Sequence, residues 1–280
     1  MIPHTEIEAI HSRNGRTYWV DAGDKLYKQR LSVGQYQRAN WLFAQQHIQK
    51  FRRCLDIGSN NACNAIHYAE RFSHVECWEP TQLAQRLWHL TVRDNDVKNV
   101  TLHTQALAET VKTTEMVIHW KNGGHNHLEN KDRRVWSGKR WRDRTSRPRQ
   151  RQTQTVECVT LDSYHLEDVD FIKIDVEGYE WFVLQGAEQT IQAHKPIIQL
   201  EIVAGQCRKF GYWAEDMIDW LRTRGYRCRS KKRGWLDGSF VSYRNQLQHE
   251  GVHQKGDMDL FFIPQDAHTQ QLDPRLKLFG

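Results

Sequence analysis

Apolar positions along the chain change period several times, and each change marks an element. Apolar residues recur helically from Gln35 to Phe51, as Tyr36, Ala39, Leu42, Phe43, Ile48 and Phe51, with Trp41 outside the tightest part of the stripe. This predicts a packing helix ahead of the first core strand. Short apolar runs at Arg53–Ile57, Val75–Trp78 and Val100–His103 read as strands. A helix is predicted from Ala62 to Phe72, and another over Gln82–Arg93 with Thr81 as its cap. Ala106–Leu107 and Glu115–Trp120 read as β segments joined by a hairpin. Thr155–Leu161 is a strand, and Phe171–Asp175 is another. A helix follows over Tyr179–His194, with Val183, Ala187 and Ile191 on one face. Then come a strand at Ile197–Ile202, a helix at Trp213–Arg224, a strand at Tyr226–Arg229 and a last strand at Met258–Ile263. Residues 1–34 give only a short strand at Thr17–Val20. Strands alternating with helices predict an α/β fold with a mostly parallel, doubly wound sheet.

The stretch FIKIDVEGYE, Phe171–Glu180, breaks the apolar rule. Alternate side chains of a strand share a face. Ile172 and Ile174 therefore point one way, and Phe171, Lys173 and Asp175 the other. Charges on a buried face are costly unless paired or used. These lie toward the carboxyl end of the strand, where open α/β sheets place their ligand crevice. Asp175, Glu177 and Lys173 are thus the candidate catalytic groups. A Lys173–Asp175 ion pair is the structural alternative. Glu201, at the end of the next strand, is placed to bind acceptor hydroxyls or to cap a loop.

Two turns suggest a cofactor. The first strand ends in DIGSNNA, residues 56–62, where Gly58 allows a tight turn and Asp56, Ser59 and Asn60 supply polar groups. About twenty residues on, Glu79 ends the next strand, where an acid can accept both hydroxyl hydrogens of a ribose. A nicotinamide dinucleotide would suit the same pair of turns, but the G-x-G-x-x-G fingerprint is absent. A ribose-containing cofactor without phosphates, S-adenosylmethionine, fits better.

Composition adds two constraints. The net charge is +6, but Glu129–Arg151 alone carries ten Lys/Arg against three acids, so the rest of the chain is close to neutral. That insert, 129–154 in full, has no hydrophobic period and includes Trp136 and Trp141. It suits an anionic polymer, either a glycan or a nucleic acid, or is a solvated loop. No apolar run approaches the ~20 residues that cross a bilayer, and residues 1–15 lack a signal pattern, so a cytoplasmic protein is expected. Six scattered cysteines form no C-x-x-C pair and are expected as buried thiols. His125 and His127 lie in a polar loop, and no metal is assigned.

DIGSN followed by WEP at 78–80 resembles the first two motifs of class I S-adenosylmethionine-dependent methyltransferases. VTLD at 159–162, the FIKIDVEGYE stretch running into VLQGA at 183–187, and KPIIQLEI at 195–202 resemble the FkbM family of methyltransferases. NGG at 122–124 and the ending LFFIP resemble that family too. The resemblance spans roughly 51–265, leaving 1–50 as an N-terminal extension and 266–280 as a tail. It implies a Rossmann-like class I fold whose last strand is antiparallel. It places Gln105 and Ala106 beside an adenine ring, and Asn122, Gly123, Gly124 and His125 along the acceptor pocket. It also implies O-methylation of a sugar, glycoconjugate or natural-product hydroxyl. A ribose 2′-O-methyltransferase using the basic loop and a catalytically silent binding module are the alternatives. Where the family commonly has glycine, this chain has Ala62.

Overall fold

A computed structural model describes residues 6–34, 36–119, 126–129, 152–231, 234–236 and 258–266. The chain opens with a hairpin, β1 (Ile7–His11) and β2 (Thr17–Asp21), and two helices, α1 (Lys25–Ser32) and α2 (Arg38–Gln45). The core follows as β3 (Arg53–Ile57), α3 (Ala65–Tyr68), β4 (His74–Trp78), α4 (Gln82–Asp94) and β5 (Val100–His103). A smaller β region contains β6 (Ala106–Leu107), β7 (Lys112–Ile118), β8 (His127–Leu128) and β9 (Gln152–Val159). The second half holds β10 (Val169–Ile174), α5 (Glu180–Gln185), α6 (Glu188–His194), β11 (Ile197–Ile202), α7 (Ala204–Lys209), α8 (Ala214–Thr223), β12 (Tyr226–Ser230), β13 (Gly234–Trp235) and β14 (Met258–Pro264).

The main sheet runs β13-β12-β14-β11-β10-β3-β4-β5. The five strands β5, β4, β3, β10 and β11 are parallel, and β14 lies antiparallel between β11 and β12. From β3 the chain winds outward through β4 and β5, and from β10 it winds the other way through β11. The switch point, where a ligand crevice opens, falls between β3 and β10. The predicted α/β architecture and the antiparallel last strand are therefore present.

The alternation expected along β10 also holds. Ile172 and Ile174 pack with Leu55, Ile57, Ile198 and Leu200 beneath α5, α6 and α8. Phe171 packs on the opposite face with Trp41, Tyr68 and Phe72. Lys173 shares that second face, one step closer to the crevice.

Several predicted elements need correction. The N-terminal stretch holds a full hairpin and α1, and the helix predicted over Gln35–Phe51 shrinks to α2. Trp41 is its buried anchor, while Leu42 faces solvent. The helix predicted over 62–72 is only α3, because Asn60 and Ala62 take left-handed φ values of 49° and 66° and delay its start. Thr81 opens α4 without a side-chain cap, since its hydroxyl donates to Glu79 Oε1 (2.6 Å). No β6–β7 hairpin forms. Instead β9 lies between them, parallel to β6 and antiparallel to β7. The helix predicted over 179–194 splits into α5 and α6 at Gly186, where a Cβ would come within 2.0 Å of the Ala108 carbonyl oxygen. The strand predicted over 155–161 begins at Gln152, and Leu161 opens a 3₁₀ turn. α7 was not foreseen.

Candidate active site

A cavity of about 420 Å³ opens at the carboxyl ends of β3, β4, β10 and β11. Of the predicted cofactor residues, Gly58, Ser59, Asn60, Glu79 and Ala106 line it, and Lys173, Asp175, Glu177 and Glu201 line its other end. Asp56 and Gln105 are not on its wall. Asp56 lies fully buried behind the turn, and Gln105 accepts a hydrogen bond from Tyr164 (3.3 Å). Asn122, Gly123, Gly124 and His125 fall outside the described residues, as does the basic insert apart from Glu129 and residues 152–154.

The turn after β3 is held by the protein itself. Gly58 and Ser59 amides donate to the Trp78 carbonyl (3.0 and 3.1 Å), and the Asn60 amide donates to Glu79 Oε2 (3.1 Å). Gly58 has φ +82°, and a Cβ there would sit 1.9 Å from the Asp175 carbonyl oxygen. The close approach of the β10 turn therefore requires a glycine here, on the cavity wall. Because these amides are satisfied internally, no phosphate cradle remains, which disfavours a dinucleotide. Glu79 is gripped by the Thr81 amide (2.9 Å) and hydroxyl as well. Burial raises its pKa, and the Thr81 and Asn60 hydrogen bonds oppose that rise. Beside it, Trp78, Leu107, Met116 and Leu128 form an apolar slot. An acid at the end of β4, an apolar slot beside it and a turn whose amides are already satisfied fit S-adenosylmethionine.

At the other end the charges are organised around Lys173, which is 2% exposed. Its Nζ lies 3.0 Å from Asp175 Oδ2 and 3.8 Å from Asp56 Oδ1. Burial opposes the ammonium, but Asp175 and Asp56 outweigh it and hold the pKa above the ordinary lysine value. Lys173 is therefore held as a cation against Asp175, the ion pair that the sequence allowed as the structural alternative. Burial raises the Asp56 pKa, with Lys173 and then Ser59 acting against it. Neither Asp56 oxygen has a hydrogen-bond partner.

One oxygen from each of Asp175, Glu177 and Glu201 lies within 4.8 Å of the others. The Asp175 charge, then burial, then a hydrogen bond with Asp175 push the Glu201 pKa up to about 11. Glu201 is thus biased toward its protonated form and is hydrogen-bonded to Asp175. Glu177 adopts φ +57°, a region disfavoured for a side chain of its kind, and accepts a hydrogen bond from Gln206.

Sequence reasoning missed Tyr27, Arg30, Tyr36 and Gln37, which also line the cavity. They come from the N-terminal extension, where no motif singled them out and Tyr36 read as part of a packing stripe.

A parallel sheet with its switch point between β3 and β10, a buried antiparallel β14, and an acid-lined crevice define a class I methyltransferase fold. The family model described as the methyltransferase FkbM domain matches residues 56–228, and the chain belongs to that family of S-adenosylmethionine-dependent methyltransferases. Among solved structures, methyltransferase FkbM from Methylobacillus flagellatus KT is similar at 14% identity, with a TM-score of 0.42 and coverage of 87% of this chain. This chain spans 55% of that protein's length. Precorrin-6y C5,15-methyltransferase from Geobacter metallireducens GS-15 is similar at 11% identity, covering 80% of this chain and 85% of its own, with a TM-score of 0.40. An rRNA methylase from Streptococcus thermophilus is similar at 8% identity, covering 81% and 92%, with a TM-score of 0.41. No curated protein matches the sequence. Among the described residues, no helix is long and apolar enough to cross a membrane.

Proposed function

We propose that this protein methylates a hydroxyl group of a sugar, glycoconjugate or natural product, using S-adenosylmethionine. The observation that carries the reading is the single cavity joining the Glu79 turn to Asp175, with Lys173 and Glu201 fixing Asp175 from two sides. S-adenosylmethionine, when bound, supplies an electrophilic methyl group on a sulfonium. Glu79 would hold the ribose hydroxyls, and the slot of Trp78, Leu107 and Met116 would take the adenine. An alcohol must lose a proton as it attacks. Asp175 accepts that proton. Lys173 keeps the carboxylate aimed, and Glu201 donates to it, so the acceptor oxygen meets a fixed base instead of a mobile one. Glu177 extends the same acidic wall and would accept hydrogen bonds from other acceptor hydroxyls. Six buried free thiols accord with a reducing, cytoplasmic setting.

The test is transfer of labelled methyl groups from S-adenosylmethionine into separate glycan, small-molecule and RNA pools. Label is expected in a glycan or small-molecule hydroxyl. Asp175→Asn should lower turnover by about 10²–10⁴-fold while S-adenosylhomocysteine binding, read by calorimetry, stays within about twofold. Label confined to RNA, or full turnover in Asp175→Asn, would defeat the proposal.

A further inference from the structure

Part of the cavity wall comes from residues that precede the family match at 56–228. Tyr27 and Tyr36 meet there edge to face, with centroids 5.0 Å apart and planes at 87°, so the rings make a right-angled corner. The corner is anchored to the cofactor turn. The Tyr27 hydroxyl donates to Asn61 Oδ1 (2.7 Å) and lies 3.1 Å from Cys63 Sγ. Asn61, fully buried, donates from its amide to the Trp19 carbonyl on β2 (2.9 Å). The Trp19 amide in turn donates to Thr91 Oγ1 on α4 (3.0 Å). Hairpin, α1 and turn are therefore one unit. Tyr36 is half-buried and borders the cavity. Burial first, then Cys63 and Asp175, raise the pKa of its phenol, with Lys173 acting the other way. Gln37, next along the wall, holds φ +56°, a strained backbone of the kind stored at binding sites.

We propose that the Tyr27–Tyr36 corner is the acceptor subsite, and that it takes a pyranose ring. The proposal rests on the methyl-transfer reading and adds to it the residues that choose the acceptor. Aromatic faces pack against the C–H faces of a sugar. The carboxyl groups of Asp175, Glu177 and Glu201, which line the same cavity, accept or donate hydrogen bonds to its hydroxyls. Arg30 lies at the exposed rim, where a substituent on the sugar would reach it.

The probe is a panel of methyl pyranosides (gluco, galacto, manno and rhamno) observed by saturation-transfer NMR on the full chain with S-adenosylhomocysteine present. Ring C–H signals are expected from the wild type. They should fall by at least about fivefold in Tyr36→Ala, the size of one lost aromatic contact, and persist in Tyr36→Phe, which keeps the ring. Calorimetric affinity for S-adenosylhomocysteine should stay within about twofold in both variants, which also shows that they fold. Unchanged pyranoside signals in Tyr36→Ala would overturn the proposal. So would a loss of S-adenosylhomocysteine affinity in that variant, which would assign the corner to the cofactor. A wild type that binds S-adenosylhomocysteine and no pyranoside would overturn this inference and leave methyl transfer standing. A wild type that binds neither would defeat both.

Discussion

Glu180 opens α5 beneath the active site and is 2% exposed. Its Oε1 accepts hydrogen bonds from the Val176 and Gly178 amides at 3.1 and 3.0 Å. Its Oε2 lies 3.2 Å from the Tyr212 hydroxyl, whose proton is directed at the Gly178 carbonyl, 2.8 Å away. With that proton committed, the contact is satisfied when Glu180 itself is protonated and donates. Burial pushes its pKa up from 4.5 to about 7, against the pull of the backbone amides, with Asp175 adding to the rise. At about 1.4 kcal/mol per pH unit the gap is worth about 3 kcal/mol. Below pH 4.5 both the folded and unfolded chains hold the proton, and the group costs nothing. Between 4.5 and about 7 the unfolded chain releases it first, so rising pH favours unfolding. Above 7 both forms are ionised and the loss is complete. Glu180→Gln preserves both amide contacts and donates from Nε2 to Tyr212, yet does not titrate. In urea denaturation the variant should therefore gain on the wild type by about 3 kcal/mol between about pH 4.5 and pH 8. The other raised carboxyl groups titrate in both proteins and cancel in the difference. Parallel stability curves for the two proteins would refute the reasoning.

Two further substitutions test the backbone of the site. Gly58→Ala meets the Asp175 carbonyl oxygen and a φ of +82° together, and should cost about 2–4 kcal/mol in denaturant unfolding. A loss under about 0.5 kcal/mol would show that the β10 turn is free to retreat. Glu177→Asn suits the left-handed φ of +57° better and should raise stability by about 0.5–1 kcal/mol while lowering turnover. A fall in its melting temperature would show that the Gln206 hydrogen bond outweighs the strain.

The second half of the sheet was legible because its strands are uninterrupted apolar runs bounded by turn residues. FIKIDVEG was legible because a lysine and an aspartate on a core strand demand a reason. The pairing of β6 with β9 was not legible, because two-residue strands carry no period and their partner lies fifty residues away. The break at Gly186 was hidden for a different reason. The helical stripe of Val183, Ala187 and Ile191 runs through it, and only the approach of Ala108 shows why the helix must part there. The aromatic corner was hidden because Tyr36 fits a helical stripe that the fold does not use. Asp56 read as a cofactor ligand because it precedes the turn, yet period-2 geometry turns its side chain to the face of Lys173.

That face explains how the site controls its charge. Asp56, Asp175, Glu201 and Asp259 gather around one buried cation, Lys173. Four ionised carboxylates there would be unsupportable in a low-dielectric setting. Protons, rather than further cations, relieve the excess. Burial raises the pKa of Asp56 and of Asp259, and Asp175 raises that of Glu201. Asp259 is steadied further by Gln199 Nε2, at 2.8 Å, and by Asn40 of α2. Asp175 thus stands between a lysine, 3.0 Å away, and an acid, Glu201, that is biased toward its protonated form. On the proposed methylation of a hydroxyl, the proton released by the acceptor would enter a cluster already built to share protons. The same arrangement accounts for the lysine on β10. A neutral residue in its place would remove the ion pair that holds Asp175 at 3.0 Å and leave the acids around it without their buried cation.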